Sequence, residues 1–165
     1  MPADLQQVLS FSLHLNHLQQ LGLAFLLGSF AVATLSDLRR LSAQQEFREI
    51  WLLFLLAVLI RDGYEIQQGS ETFTVMVIKW GLILLLSVLS VRQVGVLFRL
   101  ATGDVAALAA AACLLTPVLI VIFYLLAKVL AWIIGPMLAR GRNVWPFMPV
   151  VSLATLAVLV LGLLL

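Results

Sequence analysis

The apolar tract from Val105 to Ala139 limits the possible folds of this chain more than any other feature, because it carries a single charge, Lys128. A helix crosses the hydrocarbon core of a bilayer with about 20 apolar residues. The tract is therefore too long for one crossing and too apolar for a water-facing surface. Thr116-Pro117 is its natural break, since proline lacks an amide and its predecessor disfavours the helical region. Backbone groups must be satisfied internally in lipid, which favours helices. The long unbroken apolar runs lack the alternation of a membrane barrel.

Composition agrees. Apolar residues make up 63% of the 165 and charged residues 11%, against roughly half and a quarter in soluble domains. Mean hydropathy is +1.13. These values exclude a soluble globular enzyme, a disordered chain and a disulfide-stapled scaffold. Ten Lys+Arg against eight Asp+Glu leave +2, with no basic run, so no nucleic-acid partner is expected.

Six spans follow, in one domain covering residues 1–165. The first runs from Leu18 to about Leu35 and is stopped by SDLRR. The second, about Ile50 to Ile60, extends backwards through the polar AQQEFRE. The segment RDGYEIQQGSE reads as a solvated loop. The third runs from about Phe73 to Val91, the fourth and fifth share the Val105–Ala139 tract, and the sixth is about Phe147 to Leu165. With the N-terminus outside, the inner loops hold Arg39, Arg40, Arg48, Arg92, Arg99, Arg140 and Arg142, and the outer side only Arg61 and Lys79. That bias fits the positive-inside rule. The expected class is thus an all-α integral membrane protein with six transmembrane helices and its N-terminus outside. Trp51, Trp80 and Trp145 fall near span ends, as interfacial aromatics do, and Lys79-Trp80 reads as an interface anchor.

Cys113, the single cysteine, reads as a small core residue and permits no intrachain disulfide. His14 and His17 suit headgroup level better than a metal site, and no metal is expected. The first residues, with Asp4 and no basic region, do not read as a cleaved signal peptide.

Two acids lie near the inner face: Asp37 at the end of span one and Asp104 at the start of span four. Glu46 and Glu49 sit on the polar approach to span two. Ionisable groups at membrane depth are costly and point to function. Two adjacent carboxylates share a proton, so that one activates water while the other protonates a carbonyl or leaving amine. Structural roles remain open for both. Ser36 or Asp37 can cap the following helix, and Asp37 can pair with Arg39 or Arg40. Thr102 can be an N-cap, with Asp104 a first-turn acid favoured by the helix dipole.

S-D-L-R-R at 36–40, T-G-D-V at 102–105 and P-F-M-P at 146–149 occur in this order on spans one, four and six. The chain thereby resembles the prepilin peptidase family of membrane aspartyl proteases, which includes the preflagellin peptidases and short Flp-type enzymes. The resemblance covers the six-span layout and implies that Asp37 and Asp104 are the catalytic acids. Gly103 matches the glycine before the second acid of a G-x-G-D motif. Pro146, Phe147 and Pro149 match the stretch that opens the last span. Ala101 stands where the family has its first glycine, and LSAQQEFREIW replaces its basic segment after the first acid. A capping-type Thr102 behind Ala101 favours a helical alanine there. One cysteine leaves no room for the four-cysteine zinc domain of the large enzymes, so no methyltransferase activity is expected.

Lys128 near the middle of span five has two readings: it faces a wet cleft near Asp104 and biases that pair, or it snorkels from a tilted helix. The small residues of VAALAAAAC (105–113) and the Ala24/Gly28 spacing suit close helix packing. The resemblance implies an endopeptidase without cofactor in a prokaryotic cell membrane, with its active site facing the cytoplasm. It would act on a membrane-anchored precursor with a basic leader and an apolar helix. The rival is a non-catalytic assembly partner or transporter-like subunit, against which no internal repeat or matched pair of broken spans is evident.

Overall fold

A computed structural model describes residues 8–13, 15–40, 45–69, 72–139 and 145–164. His14, Glu71, Arg140 and Arg142 lie outside them. The described chain is helical: α1 (His17–Arg40), α2 (Gln45–Gln67), α3 (Phe73–Ser90), α4 (Thr102–Ala112), α5 (Pro117–Ala139) and α6 (Met148–Leu164). Three of these, α1, α3 and α5, are long and apolar enough to cross a membrane.

α4 is the hub. It packs against α1, α2, α3, α5 and α6, and every residue from Val105 to Leu115 is buried. The alanines explain this, because their small side chains let five neighbours approach one short helix. Its 11 residues rise only about 16 Å. The fourth expected span is therefore a half-length helix enclosed by the others. Its chain leaves the helix at Cys113–Leu115 and re-enters one at Pro117, the expected break. The Thr116 hydroxyl donates to the Ser10 carbonyl at 2.8 Å. The Leu13 amide donates to the Gly162 carbonyl at 2.7 Å. The N-terminal segment thus covers the irregular α4–α5 corner and the end of α6, supplying partners that lipid cannot.

Two sequence boundaries are corrected. α1 does not stop at Leu35 but runs through SDLRR to Arg40, since that segment has neither proline nor glycine. α2 continues through most of the expected solvated loop to Gln67. Gly63 alone costs a helix only about 1 kcal/mol, and the Arg61–Glu65 pair at 3.0 Å spans one turn. The helix ends where Gly69, at φ 72°, takes a left-handed C-terminal turn and donates to the Ile66 carbonyl at 3.0 Å.

Two of the tryptophans, Trp51 and Trp80, are also corrected, whereas Trp145 does lie just before a helix, α6. Trp51 is fully buried, donates to the Ser29 hydroxyl at 3.0 Å, stacks on Phe47 and meets Phe30 edge-on. Trp80 and Trp145 are half-buried and internally bonded or packed. Trp132 is the outward one, 80% exposed, on an α5 face with Val121, Leu125 and Val129. Ala24 and Gly28 are exposed, and a side chain added at Gly28 would meet nothing within 4 Å, so they are not the face by which α1 packs on the described helices.

Candidate functional site

Asp37 sits in the last turn of α1 and is 4% exposed. Its Oδ2 accepts the backbone N–H of Met148 at 3.0 Å. Met148 is the first residue of α6. The first amides of a helix have no partner within it and carry the positive end of its dipole. Asp37 therefore caps a helix remote in sequence. The P-F-M-P stretch makes that geometry: Pro146 and Pro149 have no amide to compete for, leaving those of Phe147 and Met148. A second tie beside it joins the Thr34 and Ser152 hydroxyls at 2.8 Å. Capping of the helix that follows α1, or pairing with Arg39, is not what Asp37 does here.

Asp104 lies in the first turn of α4 and is half-buried. Asp37 is near enough to act on it electrostatically, across the contact between α1 and α4. Among the described residues neither makes an ion pair, and Asp104 accepts no hydrogen bond. Gly103 is buried in the first turn of α4. Ala101, not Thr102, is the N-cap, with φ −69° and ψ 158° and no side-chain cap bond. The expectation of a helical alanine is therefore corrected to an extended one. That conformation is open to any residue, so the lost glycine leaves no backbone strain.

Pro146, Phe147 and Met148 are buried and Pro149 half-buried. Phe147 packs edge-on against Phe98, with centroids 5.5 Å apart, and against Trp145. Trp145 in turn lies over Gly135, where an added Cβ would stand 3.3 Å from its ring. Lys128 is not beside the acids. It donates to the Leu97 carbonyl and stands 5.1 Å from the Phe98 ring centroid. Among the described residues no group of three or more His, Cys, Asp or Glu side chains is placed to hold a metal.

A second polar centre was missed by the sequence reading. Asp62, expected in a solvated loop, is fully buried near the end of α2. Its Oδ2 accepts Lys79 Nζ at 2.8 Å and Trp80 Nε1 at 3.0 Å, and Arg61 lies 3.0 Å from Oδ1. Lys79 is thus a buried pair member rather than an interface anchor. The available signal was Lys79 itself: a lysine inside an apolar helix needs an acid, and Asp62 is close along the chain.

These two centres lie at opposite ends of the bundle. Asp37, Asp104 and the start of α6 mark one end, while Arg61, Asp62 and Lys79 act on Cys113 at the far end of α4. No protein-family model, curated protein or solved structure matches the chain.

Proposed function

We propose that this chain is a membrane-embedded aspartyl endopeptidase of the prepilin-peptidase type. The observation that carries the reading is the meeting of Asp37 and Asp104, acids from α1 and α4, with no described cation neutralising either. Such a pair is costly to bury and useful to chemistry. Asp37 is held by the Met148 amide, so Asp104 is the member free to carry the shared proton.

In the reaction, Asp37 takes a proton from a water lying between the acids. The water oxygen bonds to the scissile carbonyl carbon while Asp104 gives its proton to the carbonyl oxygen. Collapse of the tetrahedral intermediate breaks the C–N bond. The proton held on Asp37 passes to the leaving amine, and a hydroxyl proton returns to Asp104. No metal or organic cofactor takes part.

The substrate class is a membrane-anchored precursor in which a short basic leader precedes an apolar helix, cut at their boundary. All six helices cross the bilayer in this reading, α4 within the shelter of the others and the N-terminus outside. The Asp37 end faces the cytoplasm of a prokaryotic cell. Arg39, Arg48, Arg92 and Arg99 cluster in sequence around that end, which supports the orientation. Reporter fusions after Arg40, Arg92 or Arg142 should report cytoplasm, and one after Gln67 the outside. Inversion of the Arg40 and Gln67 signals would remove the cytoplasmic assignment.

One observation favours a second reading, a non-catalytic assembly partner or transporter-like subunit: Asp37 already has structural work, capping α6. Co-expression with a leader-bearing precursor separates the two. A downward size shift, lost in Asp104→Asn, supports the peptidase. No shift with several such precursors, the protein being folded and inserted, favours the rival.

A further inference from the structure

Lys128 lies half-way along α5 and is exposed, yet it is not free. Its ammonium group donates to the Leu97 carbonyl and faces the Phe98 ring. Both partners belong to the non-helical segment that joins α3 to α4. The Leu97 amide donates back to the Leu89 carbonyl of α3 at 3.0 Å. Leu100 and Ser90, and Arg92 and Leu100, close the base of the segment with bonds of 3.1 Å each. The loop is thus fastened to α3 by its own backbone and to α5 by one cation.

The loop is connected to the acids by two indirect routes. Phe98 packs edge-on against Phe147, whose next residue, Met148, gives its amide to Asp37. The loop's end, Leu100-Ala101, leads directly into the first turn of α4, where Asp104 stands. A carbonyl at this depth has few alternative donors, and a cation over an aromatic face adds attraction.

We propose that Lys128 is a positioning residue: by clamping Leu97 and Phe98 to α5 it holds Phe147 and Met148 against Asp37 and fixes the start of α4. The proposal deepens the peptidase reading in its kinetic consequence. The contact chain itself stands without that reading, and the test keeps the two apart.

The test uses the full chain in lipid nanodiscs and hydrogen exchange read by mass spectrometry. A peptide covering Trp145 to Pro149 reports only the Phe147 and Met148 amides, because Pro146 and Pro149 have none and Trp145 becomes its amino terminus. Lys128→Met should raise exchange there and in 92–100 by about tenfold, the loss of one modest hydrogen bond. The Leu13 amide, bonded to Gly162 at the far end, should not change. Lys128→Arg, which keeps a donor and a cation over Phe98, should restore protection. With a cleavable precursor, Lys128→Met should lower kcat about tenfold with KM little changed, since the precursor still binds but the pair is misplaced. Unchanged exchange at Phe147–Met148, or an equal rise at Leu13, would overturn the positioning role. Absence of cleavage in the unsubstituted protein would count against the peptidase alone, leaving the exchange result to judge Lys128.

Discussion

Two aspartates in this molecule are almost equally buried and have opposite surroundings. Asp62, 0% exposed, receives Lys79, Trp80 and Arg61. Asp37, 4% exposed, is met by backbone amides at the start of α6 and by a second acid, with no described cation. Burial alone therefore does not distinguish a fastening from a reactive group. A carboxylate neutralised by two cations ties α2 to α3. A carboxylate left beside another carboxylate is an arrangement that stability does not favour, and the proposed chemistry requires it.

The sharpest way to break this contrast is to remove the charge at each centre. Asp37→Asn and Asp104→Asn should each reduce cleavage by on the order of a thousandfold or more, and the double variant little further, because the two act as one unit. The amide introduced by Asp37→Asn retains an oxygen for the Met148 N–H, so thermal unfolding should move little. A folded single variant cleaving at near the unsubstituted rate would end the dyad assignment.

Asp62→Asn should do the reverse. It leaves Lys79 buried without its acid, at a cost of about 3–5 kcal/mol, seen as a large fall in unfolding temperature in detergent. The molecules that remain folded should still cleave. Adding Lys79→Met should recover much of the loss, since it removes the lysine charge left without its acid. A double variant no more stable than Asp62→Asn would show that Asp62 does something besides pairing.

Smaller effects refine the picture around α1 and α4. Trp51→Phe keeps the aromatic packing but loses the bond to Ser29, and should cost about 1 kcal/mol. Ala101→Ser should gain about 0.5–1 kcal/mol by adding the side-chain cap that α4 lacks. Ala101→Gly should leave the cleavage rate within about twofold, because φ −69° already suits alanine. A several-fold gain in Ala101→Gly would mean that this position moves into the glycine region during the reaction.

Much of the helix pattern was legible before any coordinates. The α3, α5 and α6 boundaries fell where apolar runs and Thr116-Pro117 put them, and the small-residue tract at 105–113 became the enclosed α4. Errors concentrated where charges meet apolar runs. SDLRR and RDGYEIQQ looked like stops because charges there were assumed to need water. Asp37 and Asp62 instead found donors from α6 and α3, residues remote along the chain. The same cause sent Trp51 and Trp80 to the membrane interface, whereas both give their N–H groups to internal oxygens.

The sequence by itself determined that this chain is helical and apolar, and that acids flank the first and fourth apolar runs. Hydrophobic length and proline position are local properties, so one dimension suffices to read them. Tertiary structure alone decided which acid is neutralised and which is not. The partners of Asp37 and Asp62, and the attachment of Lys128 to Leu97, depend on which helix ends meet. A charge at membrane depth is defined by its nearest donor or counter-charge, and sequence distance does not encode that neighbour.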